Sequence, residues 1–306
     1  MHPTIEELLA GGPVVTDGAW GTQLQELGLP VGACPDAWNL SHPERVEEVA
    51  RAYVAAGSHV VLTNTFGSNR FILARHGLAD RVAEINRTGV EISRRAAVGQ
   101  VSNLPSASHS SGSPHARVFA SMGPSGVMLM MGEVSEDELR AGFAVQARAM
   151  AGAGADGIVV ETMSDPAEAA LAVAAARETG LPVVACMTFD CGPNLDRTMM
   201  GTTPERAAEA LLAAGADCVG SNCGQGIAGF VAICRRLREA SGAPVWIKAN
   251  AGLPEIRDGK TVYSQTAEQF AAHVPELVQA GAMFIGGCCG TTPDYIRAVR
   301  RSLPAA

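Results

Sequence analysis

The chain has 306 residues, 47% of them hydrophobic, and carries 23 basic against 31 acidic side chains for a net charge of −8. That length buries one large core, and the absence of any Lys/Arg-rich block that could track a phosphate backbone argues against a nucleic-acid partner. Residues 1–10 include Glu6 and Glu7 and only a short apolar patch, matching neither a secretory leader nor a spanning helix. The expectation is a single domain over 1–306, cytoplasmic and not bound to a membrane.

Short apolar, β-branched runs alternate with Ala-, Arg- and Glu-rich stretches of helical spacing. The first strand is expected at 14–17, followed by a helix that Pro43 opens at its first position and Gly57 closes; the second strand is 59–65. Residues 102–115, rich in Ser, Pro, Gly and His, break the pattern before the third strand, 117–122. They read as a loop on the N-terminal face of the strands, with His109 and His115 solvated rather than bound to metal. Ser135 and Glu138 form a capping box for a helix with Leu139, Phe143 and Met150 on one face, ended by Gly154.

The fourth strand, 157–162, leads to Asp165 and Pro166 as N-cap and first helical residue, with Gly180 at the far end. The same punctuation follows 183–188, with Thr203, Pro204 and Gly215, and continues through 218–222, 245–250, Gly281 and 283–287 to Thr292 and Pro293. Eight parallel strands with right-handed helical crossovers close into a (β/α)8 TIM barrel. An open doubly wound sheet has fewer strands and a glycine-rich nucleotide turn after the first.

In a barrel, chemistry gathers where the strands end. Strands six and eight end in Cys223 and in the vicinal pair Cys288 and Cys289, far apart in sequence but close in space. Eight cysteines in a chain of this size do not look like a disulfide framework, and clustered thiols in a reducing compartment point to metal or catalysis. Three thiolates suit tetrahedral zinc and leave a fourth position for substrate. Adjacent side chains on an ideal strand face opposite ways, so Gly286, Gly287 and Gly290 are expected to supply the twist that turns both sulfurs inward. Cys186, Cys218 and Cys234 read as core residues, and Cys34 and Cys191 as incidental loop thiols, although Cys191 follows strand five and can approach the site. Asp17 and Glu161, ending strands one and four, can hold a substrate ammonium, and the N–H groups of the turn from Gly18 its carboxylate. Each acid alone reads equally well as a cap of the following turn.

These residues fall in motifs: D-G-A-W-G-T from Asp17, T-N-T-F-G from Thr63, E-T-M-S-D from Glu161, M-T-F from Met187, N-C-G from Asn222, N-A-G from Asn250 and G-G-C-C-G-T-T-P from Gly286. Together they resemble the zinc- and homocysteine-binding S-methyltransferase family, from about residue 14 to 301, and stand nearer the methionine-synthase domain than the betaine enzyme. One departure is Ala249, where methionine-synthase domains usually have proline. The resemblance implies a barrel, zinc on Cys223, Cys288 and Cys289, homocysteine bound at its amino end by Asp17 and Glu161 with Gly18 and Asn222 beside it, and methionine as product. It also leads us to expect, from a chain stopping at Ala306, neither a dimerising helical arm nor folate, cobalamin or reactivation domains.

The methyl donor stays open between S-methylmethionine, a betaine-like onium compound and a separate methyl-corrinoid protein. Sparse aromatics, with Trp20, Trp38, Trp246 and three tyrosines, disfavour an aromatic cage for a quaternary ammonium. Two rivals remain: a barrel whose zinc is structural or merely binds thiols, and a phosphate site at the glycine-rich ends of strands seven and eight.

Overall fold

The computed structural model describes residues 1–99, 115–257 and 260–304. Its strands are β1 (Val14–Val15), β2 (Val60–Val61), β3 (Arg117–Met122), β4 (Gly157–Met163), β5 (Val183–Met187), β6 (Cys218–Gly226), β7 (Val245–Asn250), β8 (Pro254–Arg257), β9 (Lys260–Tyr263) and β10 (Ala282–Gly287). Eight form one parallel sheet in the order β1-β10-β7-β6-β5-β4-β3-β2, which is chain order once β8 and β9 are set aside. The two ends of that order meet at His59, whose N–H donates to Val15 O at 2.8 Å and whose Nδ1 accepts from Val15 N–H at 3.3 Å. The expected (β/α)8 barrel is therefore present. Of the expected loop at 102–115, all but His115 lies outside the described residues.

The helices start and stop where the sequence marks them. Pro43, Pro166, Pro204 and Pro293 each open a helix, and Asp165, Thr203 and Thr292 accept hydrogen bonds from N–H groups of the first turn. Ser135 and Glu138 make the reciprocal capping box. Gly57, Gly154, Gly180, Gly215 and Gly281 all adopt positive φ between a helix and the next strand.

Alternation along each strand sorts the core into two shells. Side chains on the inner face fill the barrel, where Trp246 stacks on Phe119 at 6.2 Å and on Phe284 at 5.0 Å between ring centroids. Burying Phe119 and Phe284 contributes roughly 1.5–3 kcal/mol each. Gly220 makes room for this stack, since a Cβ there would lie 2.2 Å from Trp246 O. Side chains on the outer face pack against the helices, as Val160, Ala185 and Val219 do. Two residues further along the inner face, Phe119 gives way to Ser121, Trp246 to Lys248 and Phe284 to Gly286, so the apolar plug becomes a polar floor beneath the strand ends.

The antiparallel hairpin of β8 and β9 is an addition to the expected elements. Its sequence cue is the Asp258-Gly259 dipeptide between two short alternating runs, a common hairpin-turn pair. Among the described residues, no helix is long and apolar enough to cross a membrane.

Candidate metal and substrate site

β6 carries Cys223, and the turn after β10 carries Cys288 and Cys289. Their three Sγ atoms lie within 4.8 Å of one another, and those of Cys223 and Cys289 are 3.9 Å apart. Zn–S bonds of about 2.3 Å in a tetrahedron separate sulfurs by roughly 3.8 Å, so donor type and spacing both fit such an ion. Cys186, Cys218 and Cys234 are buried core residues, as expected. Cys34 is also buried, in a small cluster with Leu73, Val82 and Ile85, where the sequence suggested an incidental loop thiol. Cys191 is bonded to Asp190 beyond β5 and lies outside the sulfur cluster.

The twist that gathers the sulfurs is only partly where the glycines suggested. Gly220 and Asn222 occupy the inner-face positions of β6, so a regular strand would turn Cys223 away. Instead Cys223 itself is left-handed, with φ 62°, followed by Gly224 at 77°, and the β6–β7 register shifts between Asn222 and Gly226. Such a conformation costs an L-residue about 1–2 kcal/mol. Of the three glycines flanking the vicinal pair, Gly290 alone is left-handed, at φ 79°. Gly286 and Gly287 serve close approach: a Cβ would meet Thr16 Oγ1 at 2.0 Å or Thr291 Oγ1 at 2.2 Å.

The vicinal pair is laced to the end of β7. Cys288 N–H donates to Ala249 O at 2.6 Å, Cys289 N–H to Asn250 Oδ1 at 3.1 Å, and Ala251 N–H to Cys289 O at 3.0 Å. Among the three thiols, hydrogen bonds from Cys288 and Cys289, aided by Gly224 N–H and Asn250, hold Cys223 well below the ordinary thiol range. The same sharing holds Cys288 and Cys289 above it.

Beside the sulfurs lies a buried charge cluster that the sequence only half disclosed. Asp17 Oδ2 accepts from Trp20 Nε1 and from Leu62 N–H, both at 2.8 Å, and Oδ1 pairs with Lys248 Nζ. Lys248 is the residue that sequence reasoning missed. Burial disfavours its charge, but attraction to Asp17 and Glu161 outweighs this and raises its pKa. Glu161 accepts from Ser121 Oγ at 2.5 Å and from Asn222 Nδ2 at 3.4 Å. Burial pushes its carboxyl up, against the opposing pull of Lys248 and the Ser121 hydroxyl.

Asn222 ties this cluster to the metal ligands. Its Oδ1 accepts from Thr162 N–H and its Nδ2 donates to Thr162 Oγ1, both at 2.7 Å, holding Thr162 at φ 61°; Nδ2 also lies 3.9 Å from Cys288 Sγ. Gly18 sits where a Cβ would strike the Tyr53 ring at 2.7 Å. In the turn that follows, Ala19 N–H is already engaged by Thr291 Oγ1 at 3.1 Å. Tyr263, also unforeseen, reaches the turn after β10 from β9, where a Cβ on Gly290 would lie 2.2 Å from its ring; burial, then the charge of Cys289, raises its pKa.

The chain is 31% identical over 309 residues to a methionine synthase of Mycobacterium leprae and 32% identical over 311 residues to that of Mycobacterium tuberculosis. Each match covers 96% of this chain, which spans only about a quarter, 24% and 25%, of those relatives. In fold it is similar to the homocysteine methyltransferase MmuM from Escherichia coli in its metallated form, with a TM-score of 0.81 at 22% identity over 98% of this chain and 100% of that one. The sequence profile described as homocysteine S-methyltransferase matches residues 14–303, nearly the full length, and the chain belongs to that family.

Proposed function

We propose that this chain moves a methyl group from an activated donor to the sulfur of homocysteine, giving methionine, and that Cys223, Cys288 and Cys289 hold the zinc ion this requires. The observation that carries the reading is the convergence of three sulfurs, from β6 and from beyond β10, beside the acidic floor of the same barrel mouth. When bound, zinc supplies Lewis acidity that keeps a thiol deprotonated near neutral pH while leaving it electron-rich.

The chain's own residues bind and orient. Glu161 is the counter-ion for the homocysteine ammonium, because Lys248 already neutralises Asp17. Asp17 therefore acts by fixing Lys248 and the turn that starts at Gly18, whose backbone faces the substrate carboxylate. Asn222 sets the distance between Glu161 and the sulfurs. In the transfer the substrate sulfur forms its bond to carbon as the donor–methyl bond breaks, the leaving group keeps that electron pair, and the thiol proton passes to solvent.

A structural metal would have four protein ligands as a rule, whereas the cluster among the described residues offers three. A phosphate site at the ends of β7 and β10 leaves the three sulfurs without a role. The donor is a small sulfonium or betaine-like compound, or a separate methyl-corrinoid protein. The experiment is to load zinc, add homocysteine, and measure methionine with S-methylmethionine, betaine and methylcobalamin offered in turn. Methionine from any of them supports the assignment; failure of homocysteine to bind the zinc-loaded protein defeats it.

A further inference from the structure

The residues between Asn222 and Gly226 receive little support from the sheet. Over that stretch β6 advances four residues while β7, from Lys248 to Asn250, advances two, so the strand bulges just where Cys223 and Gly224 turn left-handed. A bulge leaves its extra residues unpaired in the ladder, and its shape then depends on what holds its two ends. Asn222 holds the near end, through its side chain on Thr162 and through its carbonyl, which accepts from Thr188 Oγ1 at 3.0 Å. Gln225 holds the far end. Its Nε2 donates to Phe189 O and to Leu195 O, both at 2.9 Å, and so ties the bulge to the loop that follows β5.

The fit around this amide is close. Gln225 is buried, and Gly229 in the helix Ile227–Ser241 makes room for it, since a Cβ there would stand 1.9 Å from Gln225 Oε1. Leu195, which offers one of the two carbonyls, is itself left-handed at φ 51°. The loop also packs on the bulge directly, because a Cβ on Gly224 would meet Asp190 Cβ at 3.0 Å. We infer that Gln225 is a positioning residue of the metal centre: by clamping the far end of the bulge to the loop after β5, it holds Cys223 in the left-handed conformation that turns its Sγ towards those of Cys288 and Cys289. This rests on the zinc reading given above.

The test is the zinc affinity of the full chain, measured by competition with a chelator, beside the urea midpoint of each variant. Gln225→Leu removes the amide at similar volume and should weaken zinc binding about tenfold. Asn39→Leu is the matched control, because Asn39 is also buried and its Nδ2 also donates to two backbone carbonyls, Asn64 O at 2.8 Å and Ile85 O at 3.1 Å, in segments that bear no cysteine. It should lower the urea midpoint and leave zinc affinity within about twofold of wild type. Gly229→Ala reaches the Gln225 amide from the other side: alanine suits the helix, but its methyl group displaces Oε1, so zinc binding should weaken here too. Wild-type zinc affinity in Gln225→Leu, or in Gly229→Ala should the first variant not fold, overturns the inference, as does an equal loss in Asn39→Leu. A wild-type chain that takes up no zinc overturns the ligand assignment and this inference together, whereas zinc bound by the wild type and equally well by the variants overturns the inference alone.

Discussion

Lys248 changes how the two site carboxylates should behave. Asp17 and Lys248 are both fully buried, so removing one leaves an uncompensated charge. Lys248→Met should destabilise the fold by roughly 3–5 kcal/mol, and the double variant Asp17→Asn with Lys248→Met should recover most of that, as urea unfolding would show. An unchanged urea midpoint in the single variant would refute the ion pair. Glu161→Gln should act differently, raising KM for homocysteine about 30-fold while leaving zinc content intact, because Glu161 is the carboxylate without a cation in direct contact. Cys223, Cys288, Cys289, Asp17, Glu161 and Asn222 were legible because each falls where an apolar run of the sequence ends. Lys248 was not, since V-W-I-K-A-N reads as a strand with one charged residue, and its partners come from beyond β1 and from β4. Nor was the left-handed Cys223, because nothing in N-C-G says which of its residues turns.

Strands and helices were legible through their punctuation, with proline at helix starts and glycine at helix ends. β1 and β2 are shorter than their apolar runs because pairing turns irregular beyond them: Thr16 N–H donates to Ile285 O and Gly287 N–H to Asp17 O, both at 2.9 Å, while Leu62 N–H turns to the Asp17 carboxylate. The hairpin was missed because each arm is only four residues long and half polar. Between the helices Pro204–Ala213 and Ile227–Ser241, Arg236 pairs with Glu205 at 2.6 Å and with Asp196 at 2.6 Å. This holds the Glu205 carboxyl down to about 2, Arg236 being the main cause. The unfolded carboxyl takes up its proton at higher pH than the folded one, so the stability from this pair is present above about pH 4.5 and is lost as pH falls towards 2. Both partners are partly exposed, which limits it to at most about 1 kcal/mol. Arg236→Met should flatten the acid limb of the stability profile by that amount, and an unaltered slope of urea midpoint against pH would contradict the assignment.

The barrel as a whole divides labour along its axis. Below, Phe119, Trp246 and Phe284 form a rigid plug; above, strand ends from every part of the chain meet at one mouth. Closure was readable from eight alternating strands, and so was the meeting of residue 223 with 288 and 289, because in chain order β7 alone separates β6 from β10. The chain matches only about a quarter of the length of each methionine synthase. The most direct test is elemental zinc in the reduced, reconstituted chain beside Cys223→Ala, Cys288→Ala and Cys289→Ala. The account predicts about one equivalent in the wild type and less than about a tenth of that in each variant, with methyl transfer lost in step. Wild-type zinc content in any one of the three variants would contradict it.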